Sequence, residues 1–256
     1  MARLDYDRAA RTYDQGRAWP LEAFGQWRAA LAEFLPALPG GPIVDVGSGT
    51  GIWLDALATW FGVRVVGIEP SSGMLAASGH KRLSALASVV AGDAQAIPLR
   101  DRSCEAAWLS TVIHHIPDLV ACAAELHRVV WPGGLVFVRS SFPGRHDDIP
   151  LFRFFPGAQR IAMSFPTVET TVGTFAAAGF SYECLRRVYE RRDSNPARMV
   201  ERVRAMRQAD STLAPLSDEE FAAGMAHLEQ AAATMSGVPP TGLDLLVLQK
   251  QSQPGP

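Results

Sequence analysis

Lysine is nearly absent from this 256-residue chain. Lys81 and Lys250 are the two, so 24 basic residues leave 22 arginines. These are scattered among 26 acids, the formal net charge is −2, and no basic stripe marks a nucleic-acid or anionic-membrane partner. Cysteine is scarce as well. Cys104, Cys122 and Cys184 have no CxxC spacing and cannot all pair, so the expectation is buried thiols in a reducing compartment. No window approaches the ~18 consecutive apolar residues of a membrane-spanning helix. The opening "MARLDYDRAARTYDQGR" has no apolar core and carries acids, unlike a secretory signal or transit peptide. The expectation is a soluble cytoplasmic protein, monomer or homodimer, with no metal site, no membrane and no nucleic-acid partner.

What is present alternates. "PIVDVG" (42–47), "RVVGIE" (64–69), "LASVVAGD" (86–93), "CEAAWLST" (104–111) and "LVFVRSS" (135–141) read as buried strands. Between them, "GIWLDALATWF" (51–61), "SSGMLAAS" (71–78) and "DLVACAAELHRVV" (118–130) have helical spacing, the last stopping at "WPGG". Such alternation predicts a mostly parallel sheet covered on both faces. Residues 148–166 show no period. A helix over 167–180, a strand over 181–192, charged helices over 196–235 broken near Pro215, and a last strand over 242–250 follow. "SDEE" (217–220) signals a helix start. The two late strands suggest an antiparallel edge with the helical insertion as a lid or dimer contact.

Three glycines, Gly47, Gly49 and Gly51, crowd the junction of the first strand and helix in "DVGSGTG". A Gly-rich turn there lets backbone approach a ligand beyond the strand ends. A dinucleotide fingerprint would want glycine at position 52, which is Ile52. Glu69 ends the second strand and can accept hydrogen bonds from both ribose hydroxyls. Asp93, ending the third, can accept from the amine of adenine. The ligand so inferred is a nucleoside.

Together "VDVGSGTG", "GIEPSSGML", "GDAQAIPLRDRSCEAAWLSTVIHHIPD" and "AAELHRVVWPGGLVFV" resemble the successive motifs of class I S-adenosylmethionine-dependent methyltransferases. The nearest branch is the small-molecule one of ubiquinone/menaquinone-biosynthesis type, and the likeness is dense over 40–140. It implies a Rossmann-like, seven-stranded α/β fold as one domain over 1–250. Within it lie an N-terminal cap (1–38), a cofactor-binding core (40–141), a substrate cap or lid (142–166 and 194–238), a sheet edge (167–193 and 239–250) and a tail (251–256). It also implies S-adenosylmethionine as cofactor and S-adenosylhomocysteine as product.

Carried over, Asp45, Gly47, Gly49 and Gly51 hold the methionine end and Glu69 takes the ribose, with Ser48 and Pro70 also among the cofactor-binding residues. Met74 lies beside adenine, a place that fits plain core packing equally well, while Asp93 and Ala94 read the amine edge. Ser110 borders the sulfonium, and Tyr13 and Arg17 close over the methionine carboxylate or belong to a solvated helix face. His114 and His115, in "HHIPD", are the candidate bases for a nucleophile that must lose a proton. Phe152, Arg153 and Phe155 are the candidate substrate contacts, with core packing as the other reading of the aromatics. His127 and Arg128 read as scaffold, His80 and Lys81 as solvated. The function so implied is methyl transfer to a small metabolite. The alternatives are a non-catalytic binding protein on the same fold and, against Ile52, a nicotinamide-dependent reductase.

Overall fold

The computed structural model describes residues 5–17, 21–35, 40–193 and 195–252. A seven-stranded sheet organises them, from β1 (Ile43–Val46), β2 (Val65–Glu69), β3 (Ala87–Ala91), β4 (Cys104–Ser110), β5 (Val130–Ser140), β6 (Phe180–Glu190) and β7 (Thr241–Lys250). Their order is β3-β2-β1-β4-β5-β7-β6. The first five pair in parallel, and β7 runs antiparallel to both β5 and β6. The order reverses between β1 and β4, so a crevice opens beyond their carboxyl ends.

Strand alternation splits the core into two layers. Ile43, Trp108, Phe137, Leu245 and Val247 face one side, with Trp27 and Leu31 of α2 (Gly25–Ala32) and Leu54 and Leu57 of α3 (Ile52–Phe61). Val44, Val46, Leu109, Val138 and Leu246 face the other, with Cys122, Ala123 and Leu126 of α5 (Leu119–Val129) and Phe175 of α8 (Val168–Ala177). Burying each large apolar side chain contributes about 1.5–3 kcal/mol. The predicted fold class and its antiparallel edge are therefore observed.

Three local readings change. The helix before "WPGG" ends at Val129, but the strand begins at once, and Val130 pairs with Cys104. A register shift between Cys104 and Ala106, with Gly133 at φ +77°, absorbs the breakers inside β5. The third strand stops at Ala91, and Asp93 forms an isolated bridge with Ala96. The aperiodic stretch holds two short helices, α6 (Leu151–Phe154) and α7 (Pro156–Ala162). The charged insertion holds α9 (Pro196–Ala205) and α10 (Asp218–Ala232), and α10 opens with a full capping box: Ser217 and Glu220 each accept from the other's backbone N–H at 3.0 Å. No described helix is long and apolar enough to cross a membrane.

Candidate functional site

The turn after β1 enters the crevice. Gly47, Gly49 and Gly51 have φ of +71°, +55° and +83°. A Cβ on Gly47 would come within 2.4 Å of Val112 Cγ2, whereas one on Gly49 would meet nothing within 4 Å. Gly47 and Ser48 donate backbone N–H to the Ile68 carbonyl at 2.8 and 3.2 Å, tying the turn to β2. Gly49 N–H donates to Glu69 Oε2 at 2.8 Å and Ser71 N–H to Oε1 at 2.9 Å. The carboxylate is thereby oriented, with lone pairs left for a ligand. Burial raises the Glu69 pKa, and those two N–H groups oppose the rise.

Three cavities meet here. A cleft of about 720 Å³ is bordered by Gly47, Gly49, Glu69, Met74, Asp93 and Ala94. Pro70 and Ser110 line it too. A smaller one, about 480 Å³, runs along the turn past Ser48, Thr50, Trp53, Ser110 and Arg139. The largest, about 930 Å³, lies under the late insertions, with apolar walls from Phe152, Phe165, Met199 and Val203 and polar groups from His114 and Ser211. Tyr6, Tyr13, Thr111 and His115 line both the first cleft and the largest cavity. Thr111 adopts φ +51°, a conformation that costs a β-branched residue about 1–2 kcal/mol. Its strain falls where all three cavities join.

The roof is α1 (Tyr6–Arg17), latched by polar contacts. Asp7 accepts from Ser71 Oγ–H at 2.7 Å and Gly73 N–H at 2.7 Å, beside α4 (Ser72–Gly79), and its pKa is lowered by them. Asp14 accepts from Thr50 Oγ1–H at 2.6 Å and pairs with Lys81 at 2.6 Å, so Lys81 is not merely solvated. The Tyr6 hydroxyl lies 2.6 Å from His115 Nε2. His114 Nε2 lies 3.0 Å from Ser211 Oγ, and its ring stacks on Phe165 at 4.0 Å.

Not every candidate converges. Arg153 is exposed and lines none of the three cavities, and Phe155 packs in the core against α10, where its ring tilts over Phe221. Gly51 faces Leu83 and Ser78 instead of a cavity. The Arg17 side chain lies outside the described residues. Arg128 is scaffold, as read: it donates to the Leu99 and Ile97 carbonyls and to Glu125. Sequence reasoning missed Tyr6, Thr111 and Arg139. Among the described residues no cluster of His, Cys, Asp or Glu could hold a metal ion.

Asp45 sits behind the turn, 1% exposed and lining none of the three cavities, with Oδ2 lacking a hydrogen-bond partner. Burial, and then the Glu69 charge, push its pKa up to about 8. The folded chain thus keeps a proton that the unfolded chain releases above its ordinary value of 3.8. That difference costs nothing below pH 3 and grows toward pH 8 by up to about 1.4 kcal/mol per unit. Asp45→Asn should therefore raise the melting temperature, and by more at pH 8 than at pH 5, in paired scanning calorimetry. Equal gains at both values would contradict a neutral, buried Asp45.

Residues 44–138 match the methyltransferase domain family. The demethylmenaquinone methyltransferase of Corynebacterium kroppenstedtii is 37% identical over 112 residues, 44% of this chain and 47% of that protein. The one from Beutenbergia cavernae is 37% identical over 134 residues, 52% and 55% of the two chains. The chain thus spans about half the length of these curated relatives. A solved structure from an antibiotic biosynthesis pathway of Anabaena variabilis superposes with a TM-score of 0.72 at 18% identity, covering 87% of this chain and 96% of its own, a likeness of fold.

Proposed function

We propose that this chain, which carries a class I S-adenosylmethionine-dependent methyltransferase domain, transfers a methyl group to a small, partly apolar metabolite bearing an oxygen, carbon or nitrogen nucleophile. S-adenosylmethionine is the cofactor, and when bound it supplies a methyl group already activated by a sulfonium. Glu69 would accept the ribose hydroxyls, Pro70 and Met74 would flank the base, and Asp93 with Ala94 would meet its amine edge. Gly47, Ser48, Gly49 and Ser110 would border the amino-acid end. Phe152 and Phe165 would seat the acceptor in the large cavity, under a lid built from 142–166 and 194–238. Tyr13 would help close both spaces. The same reading places the reaction in the cytoplasm, on a free metabolite and without nucleic acid.

The observation that carries this reading is the meeting of two cavities at Tyr6, Tyr13, Thr111 and His115, beside a carboxylate oriented by two backbone N–H groups. In-line displacement needs such a junction, because the protein's main contribution is alignment of nucleophile and carbon. S-adenosylhomocysteine should raise the melting temperature, and NAD should not; the reverse result would favour a reductase. Glu69→Ala removes two charge-assisted hydrogen bonds to ribose, so the affinity for S-adenosylhomocysteine should fall by about 2–3 kcal/mol in calorimetry. An unchanged affinity would reject the assignment.

A further inference from the structure

A buried charge cluster crosses from β5 to β6 beneath the glycine turn. Arg139, on β5 beside Ser110, is 3% exposed, and Glu190, at the end of β6, is 2% exposed. Glu190 Oε1 accepts from Trp27 Nε1–H at 2.6 Å and from Arg139 Nε–H at 3.0 Å, with Arg139 Nη2 also donating. Its Oε2 accepts from Arg192 Nε–H at 2.7 Å. Burial alone would raise the Glu190 pKa, but the two guanidinium groups hold it down to about 2. The Arg139 guanidinium lies 5.0 Å from the Trp27 ring centre and 5.1 Å from that of Trp53. Its Nη1 donates to Ser110 Oγ at 3.1 Å.

Burying such ions costs several kcal/mol each, and apolar residues of similar volume often serve stability as well. A guanidinium inside an aromatic core therefore calls for a purpose. Arg139 lines the small cavity together with Gly47, Ser48 and Gly49. Glu69, Met74 and Asp93 line the neighbouring cleft instead. On the proposed function, adenosine would fill the cleft and what hangs on its 5′ carbon would fill the small cavity. A planar fork of N–H donors, oriented by Glu190 and flanked by two indoles, matches a planar anion where it lines that cavity.

We infer that Arg139 anchors a carboxylate in the small cavity, that of the cofactor's amino-acid end, and that Glu190 is its positioning residue. This rests on the methyltransferase reading above. It adds to the N-terminal helix, which the sequence pointed to for this task, a residue from the centre of the sheet.

Two ligands separate the possibilities in titration calorimetry: S-adenosylhomocysteine, and 5′-methylthioadenosine, which keeps adenosine and sulfur but has no carboxylate. The wild type should bind both. Arg139→Met should weaken S-adenosylhomocysteine by roughly 10–100-fold, the scale of a lost charged hydrogen bond, and leave methylthioadenosine within a few-fold. Glu190→Gln should weaken S-adenosylhomocysteine by less and spare methylthioadenosine in the same way. Equal losses for both ligands would mean a structural role only and overturn the inference. Unchanged S-adenosylhomocysteine affinity would also overturn it, including the case where Arg139 serves an acidic acceptor. A wild type that binds neither ligand would sink the cofactor reading itself. Should Arg139→Met not fold, Arg139→Lys and the Arg139→Met/Glu190→Gln pair, which removes both charges, decide with the same ligands.

Discussion

Gly49→Val should give a folded protein that holds its cofactor far more weakly. Gly49 borders both the first cleft and the small cavity, and a side chain there would project into space that no protein atom fills within 4 Å. The fold itself therefore loses little packing. What it pays is the left-handed backbone at φ +55°, about 1–2 kcal/mol for an L-residue. The ligand should lose more, since on the proposed function the branched side chain and the cofactor would compete for one volume. Affinity for S-adenosylhomocysteine should drop by roughly 10–100-fold or beyond, the scale of a side chain forced into occupied space. Circular dichroism should stay near wild type, with a melting temperature lower by only a few degrees. Gly47 supplies the contrast, because a Cβ there meets Val112 at 2.4 Å. Gly47→Val should damage the fold first. A Gly49→Val protein that binds normally would show that the ligand does not approach the turn.

That contrast marks how far the sequence could be read. The glycine turn, Glu69 and Asp93 were legible because residue type and position agree: each follows a strand whose apolar run is plain, at the end where α/β sheets hold ligands. The helix start at Ser217 was legible from capping chemistry, which is local. Arg153 was not, because an aperiodic stretch has no phase. In α6 the neighbour Phe152 turns inward and Arg153 faces solvent. The "WPGG" breakers were misleading for a similar reason: tertiary pairing with β4 outweighed local propensity and kept the strand going. Tyr6, Thr111 and Arg139 carry no local signal at all. Tyr6 reaches His115 across 109 positions, and Glu190 reaches Trp27 across 163. Glu190 sits in a strand that alternates polar and apolar residues, where a carboxylate reads as solvated. Only the folding of the β6 edge onto α2 buries it.

The same long-range contacts separate two histidines that the sequence left equivalent. His115→Ala should lower turnover by about 10²-fold or more, the usual contribution of a positioned base. His115 borders both the first cleft and the large cavity, which on the proposed function is where the nucleophile would meet the methyl carbon. His114 lines only the large cavity of these two, held by Ser211 and stacked on Phe165. A hydroxyl or carbon nucleophile becomes cationic on attack unless it loses a proton, and neutral imidazole can take it. The Tyr6 hydroxyl, 2.6 Å from His115 Nε2, orients the ring and ties it to the roof helix. Tyr6→Phe should then cost less than His115→Ala, and His114→Ala should act more on KM than on kcat. Turnover followed by S-adenosylhomocysteine release should show the His115→Ala loss in kcat with KM little changed. Cofactor affinity should stay within a few-fold in all three variants, in which Glu69 keeps the two backbone N–H groups that orient it. If His115→Ala keeps wild-type turnover, the histidine is a wall of the junction. Rate would then come from alignment alone, and the strained backbone at Thr111, which all three cavities share, would be the part of the junction that sets it.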